Sequence, residues 1–212
     1  MTGRAMKRLF DVFCSFLGLV LLAPVFLGAA ILVKLDSKGP VFFKHARIGK
    51  DFRPFRVYKF RTMHEGAEQH GASVTVGSDA RITKLGRLLR RTKIDELPQL
   101  LNVLKGDMSL VGPRPEVKKY VDLYEQEYRK LLTLRPGITD PASLRYSEEE
   151  KVLALSPDWE EDYRTRILPD KIRLSLQYVE DHSLGTDLSL ILRTIMKTSG
   201  MDRQHAVHKE HI

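Results

Sequence analysis

Residues 93–115 read KIDELPQLLNVLKGDMSLVGPRP. Two adjacent carboxylates open this apolar segment, and a rigid Gly-Pro-Arg-Pro turn closes it. The spacing of the apolar residues predicts a helix from Ile94 to Lys105. Pro98 fits such a helix only in its first turn. The segment therefore places Asp95 and Glu96 at the N-terminus of a helix.

The acid pair has the chemistry of a phosphate site. A carboxylate at a helix N-terminus feels the positive end of the helix dipole, which predicts that Asp95 stays ionised. An ionised carboxylate can attack phosphorus, and its neighbour Glu96 can hold Mg²⁺. Arg90, Arg91 and Arg114 offer forked donors for phosphoryl oxygens. The alternative is that the two acids only cap the helix, as acids commonly do there.

A long uncharged segment runs from Val12 to Val33. It is long enough to cross a hydrocarbon core of ~30 Å as a helix. Pro24 lies near its middle and is expected to kink the helix. Basic residues flank both ends, so the charges choose no orientation. The pattern leaves three interpretations: a spanning helix, which it slightly favours, a broken helix that returns to the same side, and a cleaved signal peptide.

Aromatic and β-branched residues predict a β-hairpin from Val41–Phe43 and Phe55–Arg61. Alternation in the second strand places Lys59 and Arg61 on one face, after two apolar residues on that face. One interpretation is a strand that leaves a core and reaches an anion site. An edge strand exposed to solvent is an equal alternative.

The remaining pattern is mostly helical. Ile82–Arg91 predicts a basic amphipathic helix suited to an anionic lipid surface. Further helices are expected from Pro115 to about Leu132, from Asp170 to Asp181, and from Thr186 to Ser199 with Thr186 as the N-cap. The predicted loop Glu65–Asp79 and the acidic segment Ser147–Glu161 read as irregular.

The composition narrows the classes of function. The chain has 212 residues, 42% of them hydrophobic, which excludes general disorder. Its net charge of +8 comes from a Lys/Arg excess between Lys34 and Arg114, which points to anionic partners such as lipid headgroups, nucleotides or nucleic acid. A non-catalytic basic membrane adaptor would leave the acid pair unexplained. A nucleic-acid binder would leave the uncharged segment unexplained, so we expect no nucleic-acid partner.

Several ordered blocks match one family. The chain resembles the bacterial sugar transferases, the monotopic phosphoglycosyl transferases that start lipid-linked glycan assembly, in a minimal catalytic-domain form. The matching blocks are Lys7–Asp11, Ser37–Phe43, Arg47–Gly49, Tyr58–Met63, Asp95–Leu100, Lys105–Ser109, Val111–Pro115 and Arg135–Thr139.

The resemblance implies an α/β (α+β) fold, rich in helix with a small β-hairpin or sheet, and amphipathic helices at the membrane interface. It implies a re-entrant membrane helix in residues 1–38, which reverses the preference for a spanning helix. The catalytic domain would occupy residues 39–200 on the cytoplasmic face of the bacterial inner membrane, and residues 201–212 would form a polar tail.

The resemblance also implies a reaction. A sugar 1-phosphate would pass from a UDP-sugar to undecaprenyl phosphate with release of UMP, as the first membrane step of glycoconjugate synthesis. Asp95 matches the family nucleophile, which holds the phosphosugar covalently, and Glu96 matches the partner acid associated with Mg²⁺. Arg90 and Arg114 match arginines near the phosphates. Asp187 matches a C-terminal acid that we assign to the metal, although its place at a helix start by itself favours a capping role. Anionic lipid is the expected surface, and we allow for an oligomer.

Two stretches depart from the family pattern. Ala23-Pro24 stands where the family often has Ser-Pro, which removes a hydroxyl that could bind freed backbone groups at the kink. Residues 140–146 differ from a stretch thought to contact the nucleotide sugar. We expect Arg145 to stand in for an arginine of that stretch.

Overall fold

A computed structural model describes residues 2–67 and 79–199 of the chain. The predicted polar tail, 201–212, lies outside the described residues. So does most of the loop expected between Glu65 and Asp79.

Two helices meet at a sharp bend at the start of the chain. Helix α1 spans Thr2–Leu21 and helix α2 spans Ala23–Asp36, and the angle at the bend is 63°. Pro24 lies in the first turn of α2, where its missing N–H costs no hydrogen bond. No single helix of the described residues is long and apolar enough to cross a membrane, whereas this bent pair has the length and composition to do so. The predicted kink is thus present, and it lies at Leu22, two residues before the proline.

The predicted hairpin is confirmed. Strand β1, Phe42–Ile48, pairs with strand β2, Pro54–Phe60, in seven antiparallel pairs that run from Phe42–Phe60 to Ile48–Pro54. Both faces of β2 are covered. Phe60 packs with Val33 of α2 on one side, and Val57 packs with apolar residues that follow the hairpin in the chain on the other.

A second, parallel sheet joins strand β3, Ser109–Val111, to strand β4, Gly137–Thr139. The two strands approach so closely that a Cβ at Gly112 would lie 2.4 Å from the carbonyl oxygen of Arg135. Only glycine fits at that distance. Strands of three residues are too short to show an alternating pattern, which is why the sequence did not predict them.

Nine further helices complete the described residues. They are α3 (Lys84–Arg91), α4 (Gln99–Lys105), α5 (Lys118–Leu123), α6 (Glu125–Leu131), α7 (Pro141–Arg145), α8 (Glu149–Leu153), α9 (Trp159–Asp162), α10 (Leu168–Asp181) and α11 (Leu184–Thr198). A 3₁₀ turn at Ile94–Glu96 precedes α4, and a π-helical turn at Tyr163–Ile167 precedes α10.

Several predicted boundaries were wrong. The helix expected from Ile94 to Lys105 is divided into the 3₁₀ turn and α4, because Pro98 sits at the N-cap of α4. The helix expected after Pro115 is broken at Tyr124, whose backbone leaves the helical region. The segment expected to be irregular contains α8 and α9.

The start of α11 also differs from the prediction. The N-cap is Ser183, not Thr186, and the two side chains form a reciprocal capping box. Farther along, α11 exposes Leu188, Leu192 and Ile195. α11 was predicted only as a helix, and its exposed apolar face makes it one candidate for the amphipathic helices that the resemblance implied.

Two clusters of buried residues hold together the elements that surround the site. The larger one packs α5 and α6 against α10 through residues that include Tyr120, Tyr128 and Ile172. The smaller one packs α2 against Phe60 and Leu89. The hairpin and α3 therefore sit directly on α2, and the C-terminal half of β2 points toward the acid pair.

Candidate active site

One large cavity collects most of the predicted site residues. Its lining comes from the hairpin, α3, the 3₁₀ turn and the segments after β3 and β4. The predicted residues in this lining are Lys59, Arg61, Arg90, Arg91, Asp95, Glu96, Arg114 and Arg145. Asp187 is absent from it.

Asp95 lies in the middle of the 3₁₀ turn. Lys93, just before the turn, has a φ of 58°, a left-handed conformation that is uncommon for a residue other than glycine. The side chain of Asp95 is 6% exposed, and its Oδ1 has no hydrogen-bond partner among the described residues. A buried carboxylate oxygen without a partner is costly in a folded protein.

The pKa of Asp95 differs from the sequence-based expectation. Burial raises it to about 6, Lys59 opposes the rise, and Glu96 adds to it. Because α4 begins only at Gln99, its dipole acts less on this carboxyl than we expected. Asp95 is therefore protonated under mildly acidic conditions and ionised above them.

Glu96 has the opposite environment. Its Oε1 accepts hydrogen bonds from Lys59 Nζ at 2.8 Å and from Arg114 Nη2 at 2.5 Å, and its Oε2 accepts one from Arg114 Nη1 at 3.3 Å. Burial alone would raise the pKa of Glu96, but Arg114 and Lys59 bring it well below its usual range. The two adjacent acids thus differ, because cations lower the pKa of Glu96 and burial raises that of Asp95.

An asparagine bonds to the backbone of β2 just before Lys59. Asn102 is fully buried. Its Oδ1 accepts from the Tyr58 N–H at 2.9 Å, and its Nδ2 donates to the Arg56 carbonyl at 2.8 Å. This side chain holds α4 against β2. We did not single out Asn102 from the sequence, although a lone amide within an apolar helical segment was a usable signal.

Arg90 is positioned by a close approach of α3 to the end of β2. A Cβ at Gly86 would lie 2.1 Å from the Thr62 carbonyl oxygen. Arg90 Nε donates to Thr62 Oγ1 at 2.9 Å, and its Nη1 donates to Glu150 Oε1 at 3.1 Å. Arg90 therefore faces the cavity with an acidic partner from α8.

Arg61 has partners that differ from those we predicted. Its Nη2 donates to the carbonyl oxygens of Val33 and Ser37 at 3.3 and 2.6 Å, and its Nη1 donates to that of Lys38. These carbonyls belong to the C-terminal end of α2, where backbone acceptors lack partners within the helix. The guanidinium group thus caps α2 in place of the predicted substrate phosphate.

Arg145 is largely exposed at the edge of the cavity. Its Nε lies 3.2 Å from Asp170 Oδ2. An exposed pair of this kind is weak, so Arg145 is accessible to a ligand in the cavity.

Asp187 lies in a different place from the acid pair. It is 1% exposed, and its Oδ2 accepts from Lys7 Nζ at 2.5 Å while its Oδ1 accepts from the Tyr178 hydroxyl at 2.5 Å. Both oxygens therefore have partners outside the cavity lining. The assignment of Asp187 to a metal shared with Glu96 stays a prediction, and this arrangement does not support it.

Lys7 belongs to a polar contact between α1 and the rest of the chain that sequence reasoning missed. Arg8 donates to the carbonyl oxygens of Val103 and Leu104 at 2.7 and 3.0 Å. The buried Asp11 accepts from Ser109 Oγ at 2.8 Å. These charged residues precede the uncharged segment, and they bind α1 to α4, β3 and α11.

The acid pair itself fits a magnesium ion. Mg²⁺ in phosphate sites takes one or two carboxylates and completes its coordination with substrate phosphates and water. The unpartnered Oδ1 of Asp95 and the Oε2 of Glu96, whose one hydrogen bond from Arg114 is 3.3 Å long, are the two carboxylate oxygens open to such an ion. Across residues 2–67 and 79–199, no cluster of three or more His, Cys, Asp or Glu side chains could hold a metal ion. Magnesium at this site stays a prediction.

Comparisons with known proteins agree with the earlier resemblance. A protein of Rhizobium leguminosarum bv. phaseoli named exopolysaccharide production protein PSS is 42% identical over 198 residues, covering 90% of this chain and 94% of that protein. A Caulobacter vibrioides UDP-glucose:undecaprenyl-phosphate glucose-1-phosphate transferase is 41% identical, covering 89% of this chain and 68% of that protein.

A third relative is a much longer protein. It is the UDP-N-acetylgalactosamine-undecaprenyl-phosphate N-acetylgalactosaminephosphotransferase of Aeromonas hydrophila, 41% identical over 194 residues. The match covers 89% of this chain but 42% of the Aeromonas protein. The profile named bacterial sugar transferase matches residues 2–200. The chain therefore belongs to the bacterial sugar transferase family.

Proposed function

We propose that this protein is a phosphoglycosyl transferase that moves a sugar 1-phosphate from a UDP-sugar to undecaprenyl phosphate. The observation that carries the proposal is the asymmetry of the acid pair. Glu96 is bound by Lys59 and Arg114, while Asp95 faces the same cavity with an unpartnered oxygen. The names of the Aeromonas and Caulobacter relatives support the same reaction class.

The first half-reaction uses Asp95 as the nucleophile. An ionised oxygen of Asp95 attacks the phosphorus that carries the sugar, and the bond from this phosphorus to the bridging oxygen of the diphosphate breaks. UMP leaves with the electron pair of that bond. The sugar phosphate then remains on Asp95 as an acyl phosphate.

In the second half-reaction, a phosphate oxygen of undecaprenyl phosphate attacks the same phosphorus. The bond to Asp95 breaks, which restores the carboxylate and releases the polyprenyl diphosphate sugar. Lys59 and Arg114 hold positive charge next to the reacting phosphate in both steps, which stabilises the charge that develops on its oxygens.

Magnesium is part of the proposal. Glu96 would hold the ion together with phosphate oxygens of the donor, and the ion would neutralise phosphate charge. Arg90 and Arg145 line the same cavity, and we assign them to substrate phosphate and nucleotide sugar respectively.

The membrane placement follows from α1 and α2. Their exposed apolar side chains include Leu9, Phe13, Phe16, Leu27 and Leu35, and burial of such side chains in lipid is favourable. We propose that the bent pair enters the inner membrane and returns to the cytoplasmic face. The catalytic cavity would then open beside anionic lipid, where undecaprenyl phosphate is available.

The test is UMP release by the purified protein in lipid nanodiscs. A panel of UDP-sugars is supplied with undecaprenyl phosphate and Mg²⁺. We expect magnesium-dependent UMP release and a polyprenyl diphosphate sugar with at least one donor. No release with any donor, from protein that is folded and inserted, would contradict the proposal and favour a non-catalytic adaptor.

A further inference from the structure

Arg47 on β1 lines the cavity and has no part in the mechanism above. In the hairpin register Phe43 lies opposite Lys59, and alternation places His45 and Arg47 on the same face as Phe43. All four residues line the cavity. Arg47 therefore projects from the face that presents Lys59 to Glu96.

Among the described residues, the side chain of Arg47 is held by a histidine and not by a carboxylate. Its Nη1 lies 3.3 Å from His45 Nε2, and within residues 2–67 and 79–199 it makes no ion pair. Glu116 is the acid whose charge acts most strongly on Arg47. Its Oε1 accepts from the Val117 N–H at 2.7 Å, and its Oε2 accepts from the Tyr163 hydroxyl at 2.7 Å. Most of the five guanidinium N–H groups of Arg47 are thus available.

The partner His45 is uncharged near neutral pH. Burial, followed by the charges of Arg47 and Lys59, lowers its pKa to about 4. A neutral imidazole accepts one hydrogen bond and orients Arg47 without cancelling its charge. Arg114 is close enough to lower the pKa of Arg47 in addition to the effect of burial. A bound anion would relieve this repulsion between two guanidinium groups.

The position of Arg47 distinguishes between the two substrates. Phe42, at the start of β1, stacks on Phe60 with ring centroids 5.4 Å apart, and Phe26 of α2 packs on the same ring at 5.5 Å. Arg47 lies five residues farther along the strand, roughly 17 Å from this contact with α2. In the membrane placement proposed above, a lipid-linked acceptor enters from the side of α2, which leaves the end of the cavity at Arg47 to a water-soluble donor.

We propose that Arg47 forms a second anion subsite, which binds the diphosphate of the nucleotide donor and not the phosphate of the lipid acceptor. The inference rests on the proposed function for the identity of the donor. A guanidinium group suits this task because its N–H groups match two phosphoryl oxygens at once. His45 serves as the positioning residue that fixes the orientation of the fork.

The first experiment measures binding of UDP to the full-length protein in nanodiscs by calorimetry, with no acceptor present. We expect Arg47→Gln to raise the Kd for UDP at least about 10-fold, since a charge-assisted hydrogen bond is lost. Arg47→Lys keeps the charge but loses the fork and should give an intermediate Kd. The matched control is Arg56→Gln, an exposed arginine of the same hairpin that does not line the cavity. An unchanged Kd in folded Arg47→Gln overturns the subsite.

A second measurement needs no variant and so does not depend on folding. The wild-type protein is treated with phenylglyoxal, and modification of Arg47 is mapped by mass spectrometry. We expect UDP to slow the modification and undecaprenyl phosphate to leave it unchanged. Equal rates with and without UDP, or protection by undecaprenyl phosphate alone, would overturn the proposal.

Steady-state kinetics separate this inference from the proposed function. Arg47→Gln should raise the KM for the UDP-sugar and leave the KM for undecaprenyl phosphate unchanged. If transfer occurs and neither UDP binding nor the donor KM depends on Arg47, the subsite alone is rejected. If UDP binding depends on Arg47 but no transfer to undecaprenyl phosphate occurs, the proposed function is rejected and the subsite stands.

Discussion

Arg114 and Glu96 form a two-point ion pair, with Nη2–Oε1 and Nη1–Oε2 distances of 2.5 and 3.3 Å. Glu96 has two cationic partners, because Lys59 also donates a hydrogen bond to it. The adjacent Asp95 receives none through a hydrogen bond and keeps an unpartnered buried oxygen. This difference is the reason that we propose Asp95 as the nucleophile and Glu96 as its charged support.

The first prediction concerns Asp95→Asn. An amide has nearly the same shape as a carboxylate but is a poor nucleophile, so UMP release and any covalent phosphosugar adduct should be lost. Adduct formation is read by intact-protein mass spectrometry with the UDP-sugar alone. The control is Asp122→Asn, an exposed acid paired with Lys118 on α5, which should keep full activity. Substantial transfer by folded Asp95→Asn would reject the assignment.

The second prediction is a pH profile. Burial raises the pKa of Asp95 to about 6, and only the ionised form attacks phosphorus. The rate of adduct formation should therefore be constant above pH 7 and fall about tenfold per unit below pH 6. Single-turnover UMP release between pH 5 and 8 measures it. A constant rate across this range would show that Asp95 titrates elsewhere.

The third prediction is that Glu96→Gln moves this profile. The charge of Glu96 raises the pKa of Asp95, and neutralising it also frees Lys59 and Arg114 to act on Asp95. Both effects lower the pKa of Asp95, so the acidic fall in rate should shift below pH 6. The rate at pH 7 should drop as well, because Glu96 no longer supports the site. An unshifted midpoint in the residual activity would contradict this coupling.

The fourth prediction tests what Asp187 does. Asp187→Asn leaves Lys7 with an uncompensated charge in a mostly buried pair and weakens the bond from Tyr178. We expect a loss of about 3 kcal/mol in the free energy of unfolding, measured by denaturation in detergent. The magnesium concentration for half-maximal activity of the folded fraction should stay the same. A large increase in that concentration would instead support a metal role for Asp187.

The fifth prediction is the topology of α1 and α2. Single-cysteine variants at Thr2 and Lys38, made in a Cys14→Ser background, are labelled with a membrane-impermeant maleimide in intact spheroplasts and in inverted vesicles. Both positions should react only in inverted vesicles, because the bent pair returns to the cytoplasmic face. Labelling of Thr2 from the periplasmic side alone would indicate a spanning helix.

Sequence patterns predicted the elements whose hydrophobic periodicity lies within one continuous stretch of the chain. The hairpin, α10 and the uncharged segment with Pro24 were predicted correctly in kind. So was the meeting of Asp95, Glu96 and Arg114, because all three come from one continuous stretch and its closing turn. Local signals of this type need no knowledge of distant contacts.

The rest depended on contacts between segments far apart in the chain. Lys7 and Asp187 are 180 residues apart, and no local pattern pairs them. Arg61 shares a strand face with Lys59 by alternation, yet the strand ends at Phe60 and the backbone turns Arg61 toward α2. The pKa of Asp95 followed from burial, which cannot be read from adjacent residues.

The buried Asn102 also has a consequence for self-association. By accepting from Tyr58 N–H and donating to the Arg56 carbonyl, its side chain occupies the outer hydrogen-bonding edge of β2 as a neighbouring strand would. Exposed edges of this kind are where chains join into extended intermolecular sheets. This single amide therefore occupies two backbone groups on that edge, and its loss would leave the Tyr58 N–H and the Arg56 carbonyl open to pairing with another copy of the chain.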